Sequence, residues 1–60
     1  MTKDSFMKVF SNLPINLRKE VILVLKPEGP ITWEVAYLEI KQDTKLGKQI
    51  LEKLSDMEII

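Results

Sequence analysis

Sixty residues with no net charge, 45% of them hydrophobic and 30% charged, bound the chain to one small globular domain. A domain of this length buries only about 60% of the surface its unfolded form exposes, which leaves little room for a catalytic cleft. The chain has no cysteine and no histidine, which excludes disulfides, thiolate metal sites and the commonest general base.

The longest apolar run, Val21-Ile22-Leu23-Val24-Leu25, falls far short of the roughly 20 residues that a membrane span needs. The opening stretch MTKDSFMKVFSNLP is charged and polar where a signal peptide would be apolar. A cytoplasmic protein without membrane contact is therefore expected. Neutral overall charge argues against strong non-specific binding to nucleic acid. The charge is uneven, however: residues 1–26 carry five basic and two acidic side chains, residues 27–40 three acidic ones, and residues 41–60 four of each.

Pro14, the cluster Pro27-Glu28-Gly29-Pro30 and the polar stretch Lys41-Gln42-Asp43-Thr44 punctuate the chain. A first helix is expected over residues 4–11, capped by Asp4 or Ser5, with Phe6, Val9 and Phe10 on one side. From Asn16 to Leu25 the spacing of Leu17, Val21, Val24 and Leu25 predicts a second helix with a buried face. Ile22 and Leu23 exceed what that face hides. With Phe6 and Phe10 they form the expected interface of a homodimer.

Residues 32–40 support two readings. At 3.6 residues per turn, Trp33, Ala36, Tyr37 and Ile40 share a face, with Thr32 as N-cap and Glu34 near the positive helix end. At period two, the stretch pairs with VILVL across the Pro/Gly turn as a β-hairpin over residues 21–40. Helix is the preferred reading. The last piece is a helix capped by Asp43 or Thr44, with Leu46, Ile50, Leu51, Leu54 and Met57 in an apolar stripe. Gly47 lies inside it at a cost of roughly 1 kcal/mol against alanine, and points to close approach of a neighbouring helix. The expected fold is thus mostly all-α: three to four short helices in one domain over residues 1–60, with at most one short edge strand. Residues 1–13 supply an N-terminal helix available for dimerisation, and residues 16–60 the core. The hairpin reading makes the alternative α+β.

Taken in order, LRKEVILVL, KPEGP, ITWEVAYLEI, KQDT and KLGKQILEKLSDMEII resemble the winged-helix branch of the helix-turn-helix family over residues 17–60. They resemble helix one, a turn, the entry and helix two, a second turn, and the recognition helix with the first wing residues. Lys41 stands where many members have the turn glycine, Gln42 replaces a small apolar residue, and Glu58 replaces a terminal glycine. With Ile59-Ile60 last, the wing is expected to be truncated or absent. The resemblance implies transcription regulation by binding double-stranded DNA. It places Thr44, Lys45, Lys48 and Gln49 at base edges, Lys41 and Lys53 at phosphates, and Thr32 at a helix start suited to a backbone phosphate. The competing expectation is a protein-interaction module that docks a partner on Trp33, Tyr37 and Leu38. Neither reading calls for catalysis, a metal or a cofactor.

Overall fold

The computed structural model describes residues 3–57. Helix α1 spans Lys3–Ser11, and a short 3-10 turn covers Ile15–Leu17. Strands β1 (Val21–Leu25) and β2 (Gly29–Thr32) form an antiparallel hairpin. Helices α2 (Trp33–Lys41) and α3 (Lys45–Asp56) complete the chain. The architecture is α+β, which corrects the expectation of a mostly helical protein.

The helix expected from Asn16 to Leu25 is replaced by the 3-10 turn and β1. Five consecutive apolar residues satisfy either periodicity. What decides is length and surroundings: VILVL is bounded by charged residues on both sides and followed at once by a Pro/Gly turn. Val21, Ile22 and Val24 are β-branched, which suits a pleated surface. Leu23 faces Ile31 across the hairpin and both are buried, while Val24 faces Pro30 on the exposed side. A bulge between Val21 and Leu23 lets the strand run on to pair Val21 with Thr32. The loop between the strands contains a cis Lys26–Pro27 peptide, and Gly29 closes it at φ +90°, a value that side-chain-bearing residues rarely adopt. The hairpin alternative was therefore right about β1, but its partner is Gly29–Thr32 and the chain turns helical at Trp33.

Helix α1 begins with Asp4 in its first turn and carries Lys8 in its last, both favourable to the helix dipole. Its final carbonyls are occupied: Ser11 Oγ donates to the Met7 carbonyl (2.7 Å) and Asn12 Nδ2 to the Lys8 carbonyl (3.0 Å). Helix α2 grows directly out of β2. Thr32 Oγ1 accepts from the Val35 amide at 3.1 Å, the Trp33 amide donates to the Glu20 carbonyl and the Glu34 amide to the Arg18 carbonyl. The first-turn donors that a helix start usually leaves open are closed by Thr32 and by the segment before β1.

Each helix gives two residues to the core and each strand one: Phe6, Phe10, Leu23, Ile31, Ala36, Ile40, Ile50 and Leu54. The rings of Phe6 and Phe10 stack at 6.1 Å, Phe6 meets Trp33 at 5.9 Å and Phe10 stacks on Tyr37 at 4.5 Å. Three of the four residues expected at a dimer interface, Phe6, Phe10 and Leu23, are thus buried inside one copy. The reason is the strand: once VILVL alternates instead of spiralling, Leu23 turns inward and α1 covers the core. Ile22 is half-buried.

Candidate nucleic-acid interface

The geometry of the candidate surface is set by how α3 docks on α2. A Cβ built on Gly47 would lie 2.6 Å from the Glu39 carbonyl carbon and 2.9 Å from the Ile40 amide nitrogen. Backbone therefore meets backbone where the helices cross, as the interior glycine suggested. The turn between them is Gln42-Asp43-Thr44, with Asp43 in the left-handed region at φ 56°. That conformation is costly for most L-residues and least so for Asn and Asp. Lys3 braces the turn from α1, its ammonium 3.0 Å from the Asp43 carboxylate and 3.2 Å from the Lys41 carbonyl.

Thr44 is committed to the fold. Its Oγ1 accepts from the Gly47 amide (2.9 Å), donates to the Glu39 carboxylate (2.6 Å) and lies 3.2 Å from the Glu39 carbonyl. The cap expected there is present, and the base contact expected of the same hydroxyl would compete with it. Thr44→Ala is expected to cost about 1 kcal/mol of stability through the lost cap. Thr44→Ser should keep most of it; equal urea midpoints for the two variants would refute the assignment. Thr32 is engaged in the same way, and the amides beside it are already bonded. The start of α2 is closed to a phosphate.

The remaining expected contacts are differently placed. Lys45, Lys48 and Gln49 are exposed on the outer side of α3, opposite Gly47, Ile50 and Leu54. Among the described residues none of the three makes an ion pair or side-chain hydrogen bond, and the Lys45 and Leu46 amides have no acceptor. Lys41 precedes the turn with its ammonium 5.6 Å from the Tyr37 ring centroid. Lys53 lines a shallow groove between α3 and the hairpin tip together with Gln49, Lys26, Glu28 and Glu52. Its charge there is diluted by two carboxylates. Glu52 and Asp56 make the second half of α3 acidic, so the basic character is confined to the helix start.

Trp33 and Tyr37, expected on a docking surface, are half-buried in the aromatic cluster instead, while Leu38 remains 46% exposed. Arg18 escaped notice in the sequence. Its guanidinium lies over the Phe10 ring at 4.5 Å, and its Nε is buried with no hydrogen-bond partner. It lines a groove with Phe10, Glu34, Tyr37 and Leu38. Nothing in the local pattern marks one basic residue among nine for this position, because the placement depends on the 3-10 turn.

Comparison with protein families, with curated proteins and with solved structures finds no match. Among the described residues no helix is long and apolar enough to cross a membrane.

Proposed function

We propose that this protein is a small transcriptional regulator of the cytoplasm that binds double-stranded DNA as a homodimer, through the first half of α3. The observation that carries this reading is the basic start of that helix. Lys45 and Lys48 sit at the end where the helix dipole disfavours cations, an arrangement that costs roughly 0.3–1 kcal/mol per charge when it serves no ligand. Neither makes an ion pair with a described carboxylate, although Lys48 lines a shallow groove with Glu52 and Asp56. Beside them, Gln49 offers the donor and acceptor pair that reads adenine, and the lysines suit guanine acceptors or phosphates. Lys41 extends the positive surface across the turn. A second copy supplies the second half-site, since a single module of this size buries too little DNA for tight specific binding.

The test is binding to a mixed-sequence duplex at about 50 and 200 mM salt. Lys41, Lys45 and Lys48 from two copies make about six phosphate contacts, for which affinity should fall on the order of a thousandfold across that range. The triple variant Lys45→Ala/Lys48→Ala/Gln49→Ala should abolish binding while leaving the fold intact. Absence of binding at 50 mM would overturn the proposal. Binding to a protein partner that ignores salt would favour the second reading, which rests on neutral charge and on the exposed Val35 and Leu38 of α2.

A further inference from the structure

We infer that the groove between α1 and α2 beside Arg18 is a binding site for a small zwitterion, an α-amino acid with an apolar side chain. The groove holds about 400 Å³, within the range of small-ligand sites. Phe10 and Ser11 line it from α1, Glu34, Tyr37 and Leu38 from α2, and Arg18 from the segment after the 3-10 turn. None of the residues assigned to DNA lies in it, so the inference does not depend on the DNA reading.

Arg18 and Glu34 start from backbones that are bonded to each other, the Glu34 amide donating to the Arg18 carbonyl at 3.0 Å. Their side chains leave neighbouring points of the fold and line the same groove. They form no ion pair with each other: among the described residues the one such pair joins Lys3 to Asp43. The Arg18 guanidinium lies instead over the Phe10 ring at 4.5 Å, and Phe10 is itself stacked on Tyr37 at 4.5 Å. Its Nε is buried without an acceptor, and its terminal nitrogens have no partner among the described residues. A guanidinium steadied by a ring loses little freedom when its fork takes up a planar carboxylate.

One cation and one carboxylate in the same groove select against singly charged ligands. A simple carboxylate would be drawn to Arg18 and repelled by Glu34, and an amine would meet the reverse. A molecule with both charges on one carbon satisfies both, its carboxylate at Arg18 and its ammonium at Glu34. Ser11 fits the same assignment. Its Oγ gives its proton to the Met7 carbonyl at 2.7 Å, which leaves only acceptor capacity for the groove. Tyr37 and the 46% exposed Leu38 supply an apolar wall for the ligand side chain. Glu34 and Leu38 are one helical turn apart, so the charged and apolar parts of the wall follow one face of α2. An exposed Arg–Glu pair contributes little by itself, so pairing of Arg18 with Glu34 would compete only weakly with the ligand.

The probe is L-phenylalanine, titrated to millimolar concentration into the full chain without DNA and followed by proton–nitrogen correlation spectra. Saturable shifts are expected at the Arg18 Nε–H and at the amides of Ser11, Glu34 and Leu38, with none at Lys45, Lys48 or Gln49. Hydrocinnamate, which lacks only the ammonium, and phenethylamine, which lacks only the carboxylate, should each bind about tenfold more weakly, because each leaves one charged group without its partner. Glu34→Lys, at an exposed position, should reverse the order so that hydrocinnamate binds more tightly than L-phenylalanine; an unfolded variant would bind neither. Arg18→Gln should weaken L-phenylalanine and hydrocinnamate alike. The inference is overturned by the absence of saturable shifts, by hydrocinnamate binding the native chain as tightly as L-phenylalanine, or by an unchanged order in Glu34→Lys.

Discussion

Gly47→Ala is expected to destabilise the domain by about 1–3 kcal/mol, even though alanine is the better helix former by roughly 1 kcal/mol. The two effects have opposite signs, and the contact decides between them. The added methyl would press on the Glu39 carbonyl and the Ile40 amide. Those are backbone atoms in the last turns of α2 and cannot rotate away as a side chain would. The helices must move apart, and Ile40, Ile50 and Leu54 then lose contact in a core with no spare layer. The Thr44 cap would suffer as well, because its partner Glu39 belongs to the same turn. For a domain of this size 1 kcal/mol corresponds to about 4–8 °C in Tm, so thermal unfolding resolves the sign. A higher Tm for Gly47→Ala would mean that helix propensity governs the position and that the close crossing of α2 and α3 is wrong. The same substitution also bears on the proposed DNA surface, because Gly47 holds α3 at the depth from which Lys45, Lys48 and Gln49 project.

Helix α3 was legible because its apolar stripe runs through 12 residues, long enough for a 3.6-residue period to be separated from any other. Its inner residues, Ile50 and Leu54, are fully buried; Met57 at the end of the stripe is 52% exposed because the helix has already ended at Asp56. Helix α2 was read correctly through Thr32, whose cap outweighs the alternation of the following residues. Helix α1 followed from Phe6 and Phe10 one turn apart. The failures lie at residues 16–25 and at their strand partner Gly29–Thr32, read as turn and helix entry. LRKE looks like the entry to a helix and VILVL like its buried continuation, whereas the fold uses the first in turns and the second in a strand. The strand signal was weak for a physical reason: its partner contains Gly29 and Pro30, both poor strand formers. Pro30 is tolerated because β2 is an edge strand. The long-range bonds from Trp33 to Glu20 and from Glu34 to Arg18, which tie the hairpin to α2, leave no local mark.

The candidate site was legible to a similar degree. Residue type marks Lys45, Lys48 and Gln49, and the helical period puts them opposite the stripe. Residue type cannot show that a hydroxyl is already occupied, as those of Thr32 and Thr44 are, or that Lys53 shares its groove with Glu28 and Glu52. Burial likewise separates the two roles that a phenylalanine on a short helix can take, core or interface. That distinction has a direct experimental form.

Phe6→Ala is expected to unfold the protein at room temperature or bring it to the edge of unfolding. Truncating a buried phenylalanine costs about 3–5 kcal/mol, from lost burial and from the cavity left behind. A domain of this length has roughly 3–9 kcal/mol in all. The Phe6 ring is fully buried and touches both Phe10 and Trp33, so its removal uncouples α1 from the start of α2. Phe6→Leu keeps most of the volume and should retain the fold at a smaller cost. The readout is the urea midpoint of helical dichroism at two protein concentrations a hundredfold apart. A core role predicts a large loss for Phe6→Ala that does not recover when the protein is concentrated. An interface role would instead give a folded monomer whose defect appears only in the association constant. That second result would return Phe6 to the dimer contact and require α1 to lie elsewhere.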